Sequence, residues 1–139
     1  MRSTPNRITL AVDALIMIDG KLVLVKRGRE PFKGHYALPG GHVEYGEMTE
    51  EAVKREVLEE TSLKTRVSSL FGVYSEPDRD PRGHTVSVVY ELKKVGGKLR
   101  SGSDAAEVEL VHPSRVPRLA FDHSEIVADF REKLRRKLD

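Results

Sequence analysis

Apolar residues recur along this chain in two periods, and the changes between them mark out its elements. From Ile8 to Ile18 the sequence is strongly apolar and rich in β-branched residues, which predicts a strand. Asp19-Gly20 is a two-residue hairpin signal, after which Leu22 to Val25 resumes the strand pattern. Arg27 to Tyr36 carries Gly28, Pro31 and Gly34 and reads as a loop feeding a short strand at Ala37-Leu38. The period then lengthens. Ala52, Val53, Val57 and Leu58 recur at helical spacing, an apolar stripe suited to packing on a sheet. Thr49 is the predicted N-cap, and Glu50 and Glu51 fall in the first turn, where the helix dipole favours negative charge. Val67 to Tyr74 and Thr85 to Leu92 are two further strands, separated by the turn-rich segment Ser75 to His84. Gly96-Gly97 and Ser101-Gly102-Ser103 punctuate a loop before a last strand at Val108 to Val111. Asp122 or Ser124 can cap a final helix running to about Leu138, with Ile126, Val127, Phe130 and Leu134 as its buried stripe. A mixed β-sheet between two helices, of α/β (α+β) class, fits this order.

Length and composition narrow the classes. A chain of 139 residues is expected to form one domain, 1–139, and no repeat or linker interrupts it. It has no run of 18 apolar residues and no apolar signal core, so neither membrane insertion nor export is expected. Zero cysteines exclude disulfide and thiol chemistry and make a reducing cytoplasm the expected compartment. The net charge is +2, and the basic residues concentrate only at Arg131 to Lys137, which reads as a solvated helix face. No nucleic-acid motif accompanies that tail, so no nucleic-acid partner is expected.

The chemistry lies in residues 41–63, GHVEYGEMTEEAVKREVLEETSL. Glu56, Glu59 and Glu60 share a helical face, and like charges three or four residues apart cost roughly 0.2–0.5 kcal/mol per pair. A bound cation converts that repulsion into attraction. Carboxylate oxygens with no Cys or His ligands nearby suit Mg²⁺ or Mn²⁺ rather than zinc. Just ahead, Leu38-Pro39-Gly40-Gly41 offers two glycines that let the backbone approach a ligand. The competing reading is a solvated Glu/Lys/Arg helix. Against it, six fixed residues (Gly41, Glu47, Arg55, Glu56, Glu59, Glu60) at fixed spacing arise by chance on the order of once in 10⁷ start positions.

This segment resembles the Nudix box, departing from the family pattern only at Ser62, where a glycine is expected. A non-glycine residue in the left-handed conformation there costs roughly 1–2 kcal/mol. The resemblance implies an α/β/α sandwich across nearly the whole chain and a metal-dependent pyrophosphohydrolase. It further implies metal ligation by the Gly40 carbonyl, Glu56, Glu59 and Glu60, with Arg55 and Glu47 as a supporting ion pair. The general base is then Glu59 or, from the loop before the last strand, Glu107 with Asp104 beside it.

Substrate must be sought outside the box. Pro77, fifteen residues beyond Ser62, together with EPDRDPRGHTVSVVY, is similar to the ADP-ribose pyrophosphatase subgroup, whose members are commonly homodimers. Arg27 and Arg82 are candidate phosphate donors, with Arg79, while Asp80 or Asp78 suits a ribose hydroxyl. Tyr36, Tyr45, Phe71 and Tyr74 are candidate adenine-stacking residues, and the histidines, His123 included, show no zinc spacing. The same box also serves nucleoside triphosphates, dinucleoside polyphosphates and nucleotide sugars, and Nudix-like modules exist that sense ADP-ribose without cutting it.

Overall fold

The computed structural model describes residues 6–102 and 105–138. Strand β1 (Thr9–Ile18) turns through Asp19 and Gly20 into β2 (Lys21–Arg27). Both turn residues have positive φ, 51° and 76°, as a type I′ hairpin requires. The hairpin pairing itself is short: only Met17 faces Leu22, and Ile18 faces Lys21. Beyond that point the two strands part, because each has another partner. β1 runs parallel to a later strand, Thr85–Gly96, while β2 pairs antiparallel with Tyr36–Ala37 and with Ala105–Val111. In chain order these are β3 (Tyr36–Ala37), β4 (Gly40–His42), β5 (Lys64–Tyr74), β6 (Thr85–Gly96) and β7 (Ala105–Val111). β4 lies beside β1, opposite Ala11 to Asp13, in the space the hairpin opens. The path across the sheet is β3-β2-β1-β6-β5, with β5 at an edge.

Alternation along β1 and β2 divides the core in two. Val12, Ala14, Ile16 and Val23 face helix α1 (Thr49–Thr61), meeting Ala52, Val53 and Val57. Leu15, Leu22 and Leu24 point to the other face and meet Ile126, Val127 and Phe130 of helix α2 (His123–Leu138). Each Val, Leu, Ile or Phe among them, fully buried, contributes about 1.5–3 kcal/mol of transfer free energy. The predicted helix–sheet–helix layering is therefore present, held from both sides of the same two strands.

Several local expectations change. Leu58, assigned by spacing to the buried stripe of α1, is 48% exposed. Val53, Val57 and Thr61, each four residues apart, form the inner row instead, and the Thr61 hydroxyl is satisfied by donating to the Val57 carbonyl at 2.7 Å. Met48, not Thr49, holds the N-cap position, with its N–H donating to the Glu51 side chain at 2.9 Å. Thr49 turns its hydroxyl instead to Tyr90 in the sheet beneath, 2.7 Å away. Ser62 does adopt the left-handed conformation, φ 65°, and its N–H donates to the Leu58 carbonyl. Backbone N–H groups of Arg100 and Gly102 donate to the carbonyls of Thr61 and Glu60, so the loop after β6 caps the helix that the missing glycine would have closed. Asp104, one of the acidic candidates, lies outside the described residues. No helix among the described residues is long and apolar enough to cross a membrane.

Candidate active site

The cleft occupies the opening between β1 and β2 and has a volume of about 560 Å³. One wall is the turn from Leu38 to Gly41. Its backbone is pinned three ways: the Pro39 carbonyl accepts from Ala14 N–H at 2.8 Å, β4 pairs with β1, and Leu38 N–H donates to the buried His123 Nδ1 at 3.0 Å. Gly40 is required by contact with backbone, and Gly41 keeps open the place where the Glu56 carboxylate sits. A Cβ on Gly40 would lie 2.1 Å from the Val12 carbonyl oxygen, and one on Gly41 would lie 2.4 Å from Cδ of Glu56.

Helix α1 presents its carboxylates to that turn. Glu60 Oε1 accepts from Gly40 N–H at 3.0 Å. Burial first, with the nearby Glu56 and Asp13, pushes the Glu60 carboxyl up to about 8 against the opposing pull of Gly40 N–H and Arg27. Arg55 organises the rest. Its Nε and Nη2 fork onto Glu47 at 2.6 and 3.0 Å, and Nη1 reaches Glu56 at 2.9 Å and Glu59 at 3.2 Å. These bonds, the Glu47 fork first, raise the Arg55 pKa, so it stays a cation throughout the working range. Glu59 remains about half exposed, at 48%.

Glu47 is the reciprocal case. Hydrogen bonds from Arg55, then from Glu44 N–H, lower its carboxyl from 4.5 to about 2. A depressed acid stabilises the fold above its unfolded pKa and loses that contribution as pH falls through the folded value. Glu47→Gln is therefore expected to melt below wild type at pH 7, with the gap closing as pH falls from about 4.5 toward 2. A gap independent of pH in paired thermal melts would remove the ion pair as its cause.

Among the described residues no three acidic or histidine side chains already converge on one point as a cation shell. The donor set nevertheless fits a hard divalent cation. Glu60 is recessed beside two other carboxylates, Glu56 and Asp13, which makes added positive charge favourable there, and all the side-chain donors are oxygens. Asp13 was not singled out from the sequence, although an aspartate inside the apolar run of β1 was a signal. It is buried, accepts from Ser87 Oγ at 2.5 Å and lies 3.5 Å from His123 Nε2.

The outer wall comes from the 75–84 loop and the segment before α2. Arg79, Asp80 and Arg82 line the cleft, whereas Pro77 is exposed and outside its lining. Arg79, a sequence candidate for phosphate, is spent on Asp122: Nε and Nη2 donate to the two carboxylate oxygens at 2.8 and 2.6 Å, with both side chains nearly buried. Removing one partner of such a pair strands a buried charge, at a typical cost of about 3–5 kcal/mol. Asp80 turns both oxygens to Arg82, at 3.1 and 2.9 Å. Arg27 lines the cleft and donates through Nε to the Pro31 carbonyl. Glu107 is exposed on β7, accepts from Tyr36 OH at 3.2 Å and lies outside the lining. None of the four aromatics proposed for stacking lines the cleft; Phe121 does.

A carboxylate helix packed under a double-glycine turn, in a mixed sheet held between two helices, defines the Nudix class of hydrolase fold. The comparisons agree, and the chain belongs to the Nudix family: a NUDIX domain profile matches residues 7–130. An ADP-ribose pyrophosphatase of Methanocaldococcus jannaschii is 54% identical over 121 residues, 87% of this chain and 72% of that protein. Among solved structures, the NUDIX domain of Shewanella oneidensis NrtR in complex with ADP ribose superposes with a TM-score of 0.79 at 27% identity, over 93% of this chain and 90% of that one. A bifunctional NMN adenylyltransferase/ADP ribose pyrophosphatase of Francisella tularensis, complexed with AMP and a Mn ion, gives 0.79 at 25% identity. The match covers 94% of this chain but 43% of that longer protein.

Proposed function

We propose that this chain is a divalent-metal-dependent hydrolase that cuts the pyrophosphate bond of ADP-ribose, giving AMP and ribose 5-phosphate. The observation that carries the reading is the contact of Glu56 and Glu60 with a double-glycine turn, closed to a side chain by backbone at Gly40 and by the Glu56 carboxylate at Gly41, lining a cleft of about 560 Å³. The choice of ADP-ribose is supported by the name of the 54% identical relative. The Gly40 carbonyl, Glu56, Glu59 and Glu60 would hold Mg²⁺ or Mn²⁺, which when bound lowers the pKa of water and neutralises phosphate oxygens. Arg55 aligns Glu56 and Glu59 through one nitrogen. Glu59, half exposed and so held, is the base we assign: it takes the proton from the attacking water as the bond from phosphorus to the bridging oxygen breaks. Glu107, on β7 and bonded to Tyr36 OH rather than to the Arg55 cluster, is the less favoured base. Arg27, Asp80 and Arg82 contact the substrate; Pro77 shapes their loop from outside.

We also propose a single-domain, cytoplasmic enzyme, and a homodimer using the exposed Ile8 and Leu10, which a monomeric boundary in sedimentation at micromolar concentration would remove. The decisive assay is product analysis with ADP-ribose and Mg²⁺ beside dATP, a diadenosine polyphosphate and a sugar nucleotide. AMP and ribose 5-phosphate from ADP-ribose are expected. Preferential cleavage of another substrate overturns the choice of ADP-ribose, and tight binding without cleavage overturns the enzyme in favour of a sensor.

A further inference from the structure

Phe121 is the cleft residue that neither the carboxylate helix nor the glycine turn explains. Its φ is 54°, left-handed, a region that aromatic side chains rarely adopt and that persists where the surroundings over-determine it. Here they do. Ala120 N–H donates to the Tyr36 carbonyl, Asp122 is gripped by the Arg79 fork, and His123 is buried. The ring so fixed meets Phe32 edge-on, with centroids 5.0 Å apart. Two guanidinium groups lie over it: Arg27 with its central carbon 4.9 Å from the ring centroid, and Arg82 at 5.6 Å.

The hydrogen bonds of these arginines leave a defined remainder. Arg27 donates through Nε to Pro31, and among the described residues it forms no ion pair and neither of its Nη groups has a hydrogen-bond partner. Arg82 gives Nε and Nη2 to Asp80, leaving Nη1. A guanidinium lying on an aromatic ring is held by its face, so its edge N–H donors stay available for a planar pair of oxygens. Asp80 offsets one of the two charges, and Arg27 has no carboxylate bonded to it among the described residues, in a cleft whose other wall is acidic.

We propose that Phe121 is a positioning residue that holds Arg27 and Arg82 as a paired donor site for one phosphate of the diphosphate substrate. The proposal rests on the hydrolase reading above. It sets substrate placement: the diphosphate spans from the arginines on Phe121 to the carboxylates of α1.

The test combines steady-state kinetics on ADP-ribose with calorimetric titration of inorganic pyrophosphate in EDTA at low salt, where only protein groups hold the anion. Phe121→Leu is expected to raise KM about tenfold with kcat changed less than about threefold, and to weaken pyrophosphate binding by a similar factor. Phe121→Tyr restores both. Arg27→Lys is expected to match Phe121→Leu, and the double variant to be no worse than the poorer single one, because both remove the same held fork. Arg82→Lys, on an exposed side chain, retains charge but not the flat stack and is expected to reproduce part of the loss even where Phe121→Leu fails to fold. Additive losses, a fall in kcat at constant KM, or equal pyrophosphate binding by wild type and Phe121→Leu would each overturn the proposal. Wild type that binds pyrophosphate through Phe121 but does not cut ADP-ribose leaves the subsite standing and rejects the substrate assignment.

Discussion

Glu60→Gln is expected to lower kcat by about 10²-fold or more while leaving the protein folded, the scale of loss when one electrostatic group at a reacting centre is removed. The geometry separates the two effects. Glu60 Oε1 accepts from Gly40 N–H at 3.0 Å, and the amide oxygen of glutamine can accept the same bond. What the substitution removes is a negative charge. Burial has already raised this carboxyl to about 8, so in metal-free protein near neutral pH it is largely protonated, and the amide resembles that form. An acid whose folded pKa is raised binds more protons folded than unfolded, so its ionisation subtracts stability as pH rises from about 4.5 to 8. The variant should accordingly melt no lower than wild type in EDTA, and higher above pH 8. Adding Mg²⁺ should reverse the order, because only wild type regains a fully charged ligand. Near-wild-type turnover in the variant, or equal stabilisation of both proteins by Mg²⁺, would remove Glu60 from the metal site.

The parts legible in the sequence were those set by local rules. The type I′ turn at Asp19-Gly20 and the helix carrying Glu56, Glu59 and Glu60 follow from spacing and backbone preference within a few residues. The left-handed Ser62 does not, because backbone preference there favours glycine. Spacing does not encode how far a sheet extends beneath a helix, so the exposure of Leu58 is not written in it, and Thr61 takes the inner place despite its polarity because its hydroxyl finds the Val57 carbonyl. The fork between Arg79 and Asp122 joins residues 43 apart, and no periodicity encodes it. The same holds for Asp13, whose neighbours Ser87 and His123 come from a parallel strand and a distant helix. The cleft itself was hidden for a topological reason. It exists because β1 and β2 stay paired at only two positions before each takes a different partner, a consequence of long-range pairing rather than of the hairpin's own sequence.

Gly41→Ala should reduce kcat/KM by about 10²-fold with a small change in stability, the scale expected when a reacting constellation is displaced by about 1 Å. Gly41 does not require a left-handed backbone, so the effect is one of space alone. The added Cβ would lie 2.4 Å from Glu56 Cδ and 2.6 Å from each of its oxygens, well inside van der Waals contact. Glu56 is a flexible side chain and can retreat, which spares the fold. Its retreat carries Arg55 with it, because Nη1 binds Glu56 at 2.9 Å and Glu59 at 3.2 Å, so two proposed ligands move together. The Mg²⁺ concentration for half-maximal activity should therefore rise. Gly40→Ala provides the contrast. There the Cβ meets the Val12 carbonyl at 2.1 Å and Asp13 Cα at 2.9 Å, atoms that cannot move without breaking the pairing of β4 with β1. Overpacking of that kind costs about 1–3 kcal/mol, so Gly40→Ala should lose stability together with activity. Side-by-side unfolding and Mg²⁺ titrations of the two variants separate the roles. A Gly41→Ala enzyme with unchanged Mg²⁺ activation would mean that Glu56 does not need the place this glycine keeps open.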